Sequence, residues 1–190
     1  MSPQQIAACT GARIDRAERF APSLSAGMAF YGIDTPRRQS AFLAQVGHES
    51  GGLKYVSEVW GPTEAQKRYE GRLDLGNTQP GDGSRFRGHG LIQTTGRANH
   101  AAVRDRLRER FANVPDFEAM PEALMDTQWA ALSACDYWDM KGLNALADAG
   151  DFEGISARIN GRNRQTGMPN GYEDRCERWE YAKRALGCLA

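Results

Sequence analysis

A capped, proline-led helix that runs into two glycines constrains this chain more than any other stretch. Thr35-Pro36 supplies an N-cap followed by proline at the first helical position, and Phe42, Val46 and Glu49 then recur at i, i+4 and i+7. The predicted helix covers Arg37 to His48, and Gly51-Gly52 breaks the chain behind it. An apolar stripe of this kind has to be buried, so the stretch must be a core helix, and Glu49 is carried to its C-terminal edge. Burial and the negative end of a helix dipole both disfavour a charged carboxylate, a setting that suits an acid holding a proton.

A second carboxylate follows closely. Tyr55 to Trp60 alternates, with Val56, Glu58 and Trp60 on one side, which predicts a short strand or extended loop. Two carboxylates in different environments are the minimum equipment for breaking a glycosidic bond by acid–base chemistry. The residues alone leave the ordinary reading equally open: a helix-end acid and an exposed loop acid.

Other chemistries find less. His48-Glu49 opens like a zinc-protease motif, but Gly52 stands where the second histidine is required. The chain has three histidines, and no clustered acidic or cysteine ligands accompany them, so no metal and no cofactor is expected. Asp74 to Asp82 lacks the spacing of a calcium loop, and the glycines at 81, 83, 88 and 90 lack the lysine of a phosphate loop. Formal net charge is zero, so nothing asks for nucleic acid. The four cysteines, Cys9, Cys135, Cys176 and Cys188, show no paired spacing. Cys135 reads as a buried thiol, and a bridge from Cys9 to the last helix stays open. No secretory leader or membrane span is read from the sequence, so synthesis as a soluble cytoplasmic chain is expected.

The remaining elements read mainly as helix. Ser2-Pro3 opens a short helix ending at Gly11; a second runs from Asp15 to Tyr31, interrupted or kinked at Pro22. A short helix from Pro62 to Glu70, a turn-rich loop to Gly83 and an extended stretch from Phe86 to Thr94 come next. Helix then covers Thr95 to Phe111, where Arg104, Arg106, Arg108 and Arg110 read most simply as a solvated face. Pro121 begins a long helix carrying Trp129 and Trp138; shorter helices follow near 143–149 and from Asp151 to Asn160, and the last runs from Tyr172 to Leu186. At 190 residues this predicts one domain over 1–190, with room for a small helical lobe around 100–150. The predicted class is mainly α (α+β): a helical body with a small two- or three-stranded sheet.

Four ordered stretches resemble glycoside hydrolase family 19, the chitinase and phage-endolysin family of lysozyme-like hydrolases. They are His48-Glu49-Ser50-Gly51-Gly52; Glu58; Gly88 to His100, with Gln93, Thr94, Thr95 and Asn99; and Ile159-Asn160-Gly161, followed by Asn170-Gly171 and Asp174-Arg175. His89 stands where the family has arginine, His100 where it has tyrosine, and Arg162 where it has a second glycine. The resemblance implies a lysozyme-like fold with the sheet beside a catalytic cleft. Glu49 would be the general acid and Glu58 the general base, with Thr95 helping to hold the attacking water. Gln93, Asn99, Asn160 and Arg175 would bind substrate, Arg175 also serving as the counter-charge of Glu58. Inversion requires carboxyls about 6.5–9.5 Å apart.

The compact chain, with Tyr69 to Thr78 and no separate wall-binding domain, looks most like the phage endolysin branch. That implies a monomer that cuts the glycan strands of bacterial peptidoglycan and lyses the wall. It would reach the periplasm through a holin or a secretion system. Chitinase, lytic transglycosylase and catalytically silent wall-binding module are the alternatives.

Overall fold

The computed structural model describes residues 1–188. It divides into two compact units: Met1–Lys54 together with the chain from Tyr137 onward, and Tyr55–Asp136.

The first unit is built on α1 (Pro3–Thr10), α2 (Ile14–Phe30) and α3 (Pro36–Glu49). Helices α8 (Leu143–Asp148), α9 (Phe152–Asn160) and α10 (Tyr172–Ala185) complete it. The expected caps start these helices. Ser2 forms a capping box with Gln5, Thr35 Oγ1 accepts from the Arg38 N–H, and Asp151 accepts from the Gly154 N–H. Helix α3 is the centre of the unit: Ser40 to Gly47 are all buried, and α1, α8 and α10 pack on it. Phe42 meets Trp138 edge-on at 5.4 Å between ring centroids. Truncating Phe42 would cost about 3–5 kcal/mol.

Contact with α1 is close enough to dictate residue type. A Cβ on Gly47 would lie 2.5 Å from the Thr10 carbonyl oxygen, and one on Gly52 2.8 Å from that of Gly11. Helix α2 runs unbroken through Pro22, which has no N–H to give to the preceding turn.

The second unit holds α4 (Glu64–Lys67), α5 (Asp82–Arg85), α6 (Arg97–Arg108) and two 3-10 turns, Leu73–Leu75 and Pro121–Met125. The division between units falls within α7 (Thr127–Met140). The long helix predicted from Pro121 is two elements, because Asp126 is extended and its side chain accepts from the Gln128 N–H. The core here is Phe86, Leu91, Leu107, Phe117, Leu124 and Cys135. Arg97 lies over the Phe86 ring and pairs with buried Asp82 at 2.5 Å. That guanidinium, working against burial, holds the Asp82 carboxyl below the usual carboxylate range.

Two further expectations are corrected. The two- or three-stranded sheet is absent: the described residues form only isolated bridges, Ser57 to His89, His89 to Thr94 and Arg162 to Pro169. The chain reverses between His89 and Thr94 through Gly90 and a left-handed Gln93, so pairing ends after one residue on each side. The arginine run of α6 is not simply solvated. Arg104 binds Asp105, Asp116 and Glu118, and Arg106 pairs with buried Asp136 at 2.8 Å. All four cysteines are free thiols; Cys9 and Cys135 are buried, and burial pushes the Cys9 thiol up to about 12.

Candidate active site

Glu49 ends α3, where Gly51, Gly52 and Leu53 turn the chain with φ of 58°, 69° and 57°. Three consecutive left-handed residues cannot continue a helix, and glycine takes two of the places at little cost. The Ser50 hydroxyl closes the turn, donating to the Val46 carbonyl at 2.6 Å and accepting from the Leu53 N–H at 2.9 Å.

Glu49 keeps a side-chain exposure of 16% and accepts from Arg175 Nη2 at 2.5 Å. Arg175 is fully buried near the start of α10. Its Nη1 donates to Gln45, and its Nε to the Asn170 carbonyl at 3.0 Å. Gln45 is fixed in turn by donating to Ser156 at 2.8 Å. Arg175, expected as the counter-charge of Glu58, is thus the partner of Glu49, and each guanidinium nitrogen is committed. Nearby, burial pushes the Tyr137 phenol up and the Glu49 charge adds to this, while Arg175 opposes it.

Adjacent His48 pairs with Asp174 at 2.6 Å, and Asp174 also accepts from Arg178 at 2.7 Å. Burial works against the Asp174 carboxylate, yet the bonds from Arg178 and His48 hold it below the usual range. Gly171 leaves room for the ring: a Cβ there would stand 2.6 Å from His48 Cε1. Asn160 is exposed at the end of α9, and its carbonyl accepts from Asn170 Nδ2 at 2.8 Å.

Glu58 lies in the second unit in a different setting. Its Oε1 accepts from Gln66 Nε2 at 3.0 Å and from the Tyr69 hydroxyl at 3.4 Å; its Oε2 accepts from the Gly88 N–H at 3.1 Å. Burial raises the Tyr69 phenol, and the Glu58 charge and hydrogen bond raise it further. Gly88 also touches Gln93, since a Cβ on Gly88 would fall 2.6 Å from Gln93 Oε1. Gln93 donates to the Gly90 carbonyl at 2.9 Å and the Tyr55 carbonyl at 3.3 Å. Thr95 donates to the Gln93 carbonyl at 2.9 Å, and exposed Asn99 donates to the Thr95 carbonyl at 2.7 Å. The predicted residues 93, 95 and 99 thus form one linked wall.

His89 and His100, which depart from the family pattern, are buried and bond ring to ring at 3.0 Å; His100 also meets the Gly96 carbonyl at 2.8 Å. Burial lowers them to about 3 and about 4, so both are neutral at pH 7. His89 also exchanges backbone hydrogen bonds with Thr94, the residue between Gln93 and Thr95. No group of three or more metal-ligating side chains occurs among the described residues.

Sequence reasoning missed Gln45, Gln66 and the Arg178 contact. A signal existed for Gln66: Thr63 and Gln66 have the spacing of a capping box, which fixes an amide side chain in place.

Among the described residues the fold is helical with isolated bridges only, and the comparisons give its class as glycoside hydrolase. No family model matches the chain. A glycosyl hydrolase family 19 domain-containing protein of Haemophilus influenzae is 30% identical over 183 residues, covering 82% of this chain and 83% of the relative. The crystal structure of chitinase C from Streptomyces griseus is similar over 98% of this chain and 92% of its own, with 26% identity and a TM-score of 0.74. A bacterial family 19 chitinase gives a TM-score of 0.75 at 24% identity, covering 99% of this chain and 95% of that one. The chain belongs to glycoside hydrolase family 19.

Proposed function

We propose that this chain is an endolysin-type hydrolase that cuts the glycan strands of bacterial peptidoglycan by an inverting acid–base mechanism and so lyses the wall. Glu49 protonates the leaving glycosidic oxygen, and Glu58 takes a proton from the attacking water. The assignment follows the resemblance of His48-Glu49-Ser50-Gly51-Gly52 and of Glu58 to the family's acid and base stretches, and the two carboxylates hold different partners, one cation on Glu49 and neutral donors on Glu58. Negative charge develops on Glu49 as its proton leaves, and Arg175 is already in place to stabilise it. Thr95, whose hydroxyl proton goes to Gln93, keeps lone pairs with which to accept from the water. Gln93, Asn99 and Asn160 bind sugar hydroxyl or acetamido groups. The reading needs no cofactor, and a holin or a secretion system is the route to the periplasm that goes with it.

The substrate rests on the resemblance to the endolysin branch. Chitin is the second reading, favoured because the solved relatives named above are chitinases.

Purified peptidoglycan, chitin and an aryl glycoside with an activated leaving group test these points together. Glu49→Gln should lower cleavage of the natural polymer by about 10²–10⁴-fold and spare the aryl substrate, which needs no acid. Glu58→Gln should lower both. Full wall lysis by Glu49→Gln would overturn the acid assignment. Soluble products from chitin with none from peptidoglycan would move the substrate to chitin, and 1,6-anhydro ends would make the enzyme a transglycosylase.

A further inference from the structure

We infer that Gln66 and Tyr69 are positioning residues for the base, and that Glu58 receives the proton of water on Oε2. The inference rests on the reading of Glu58 as general base.

Gln66 is buried, with 6% exposure, and its whole amide is committed. Oε1 accepts from the N–H of Gly61 at 3.2 Å and of Thr63 at 2.8 Å. A flipped amide would set its NH2 against two N–H donors, so Nε2 is the end that faces Glu58. Nε2 donates to Glu58 Oε1 and, at 2.8 Å, to the Val59 carbonyl. The Tyr69 hydroxyl donates to the same Oε1.

A carboxylate oxygen offers about two acceptor positions, so Oε1 is filled. Oε2 accepts only the Gly88 N–H among the described residues and keeps a lone pair for water. In the step, a water O–H bond breaks and its proton passes to Oε2. The water oxygen bonds the anomeric carbon, and the leaving oxygen departs with the proton of Glu49. The local sequence explains why such an amide is available. Thr63 caps α4, Gln66 occupies the third position of that cap, and the capping box that starts the helix also orients the base.

Two variants separate donor from scaffold. Gln66→Glu keeps an acceptor for Gly61 and Thr63 but replaces the donor facing Glu58 with a second carboxylate. Tyr69→Phe removes one hydroxyl and leaves the ring beside Trp60. On whichever glycan the wild type cuts, Gln66→Glu should lower kcat about 100-fold with KM within about twofold, and move the acid limb of the pH profile upward. Tyr69→Phe should lower kcat about tenfold with a smaller move of the same limb. A merely structural role would change melting temperature without moving that limb. Wild-type kcat and pH limb in folded Gln66→Glu, or in Tyr69→Phe should the first not fold, would overturn the inference. Full activity in Glu58→Gln would instead sink the base assignment itself.

Discussion

Glu49 and Glu58 differ less in burial than in what holds them. Glu49 sits at the end of a long helix and meets a buried cation that another glutamine and a backbone carbonyl keep straight. Glu58 sits on irregular chain and meets an amide, a phenol and a backbone N–H, all neutral. A fixed cation stabilises charge as it appears; neutral donors leave the net charge alone and decide which lone pair points outward. The two carboxylates therefore differ in the chemistry of their partners, without large differences in exposure.

The strongest way to break this contrast is to remove the cation. Arg175→Ala leaves Gln45, Glu49 and the Asn170 carbonyl without their donor in a buried place, and should cost about 3–5 kcal/mol in urea unfolding. Arg175→Lys should recover little of it, because one ammonium cannot satisfy three directions at once. Recovery of wild-type stability by lysine would show that charge alone, without the planar fork, supports Glu49.

Next come the glycines behind each acid. Gly47→Ala drives a methyl into the backbone of α1, which cannot retreat, and should lose about 1–3 kcal/mol of stability. Gly88→Ala meets the movable Gln93 amide, so it should lower activity more than stability. Thermal melts beside initial rates check both; equal melting losses would erase the distinction.

The last effect concerns pH. His89 and His100 titrate lower in the folded chain, at about 3 and about 4, than the unfolded value of 6.5, because they are buried. Their neutral forms therefore contribute stability fully above about pH 6.5, which is lost as pH falls toward those folded values. Each should add a slope of up to about 1.4 kcal/mol per pH unit in that window. His100→Gln should remove one such contribution, as unfolding at pH 7 and pH 5 would reveal. An unchanged slope would place the acid sensitivity elsewhere.

What could be read from the chain was local. Thr35-Pro36, the i, i+4, i+7 stripe and Gly51-Gly52 set out α3 nearly to the residue, and Asp151 and Gly161 did the same for α9, because caps and periodicity act within a few residues. The sheet was misjudged for the opposite reason. Alternation from Tyr55 to Trp60 shows which residues suit an extended chain, not whether a partner stays alongside, and the turn at 90–93 turns the partner away. Arg175 was singled out but matched with the wrong acid, since its bond to Glu49 joins residues 126 positions apart. Gln66 went unnoticed because a glutamine inside a capping box looks complete without a further role.

The run Gly51-Gly52-Leu53 has a last consequence. Its positive φ values are the natural territory of mirror-image amino acids. A chain assembled by chemical ligation with D-alanine at position 51 should keep the turn after Glu49, whereas L-alanine there would be strained. At position 51 the bend selects for handedness, and at Gly52 the approach of the Gly11 carbonyl adds a limit on size.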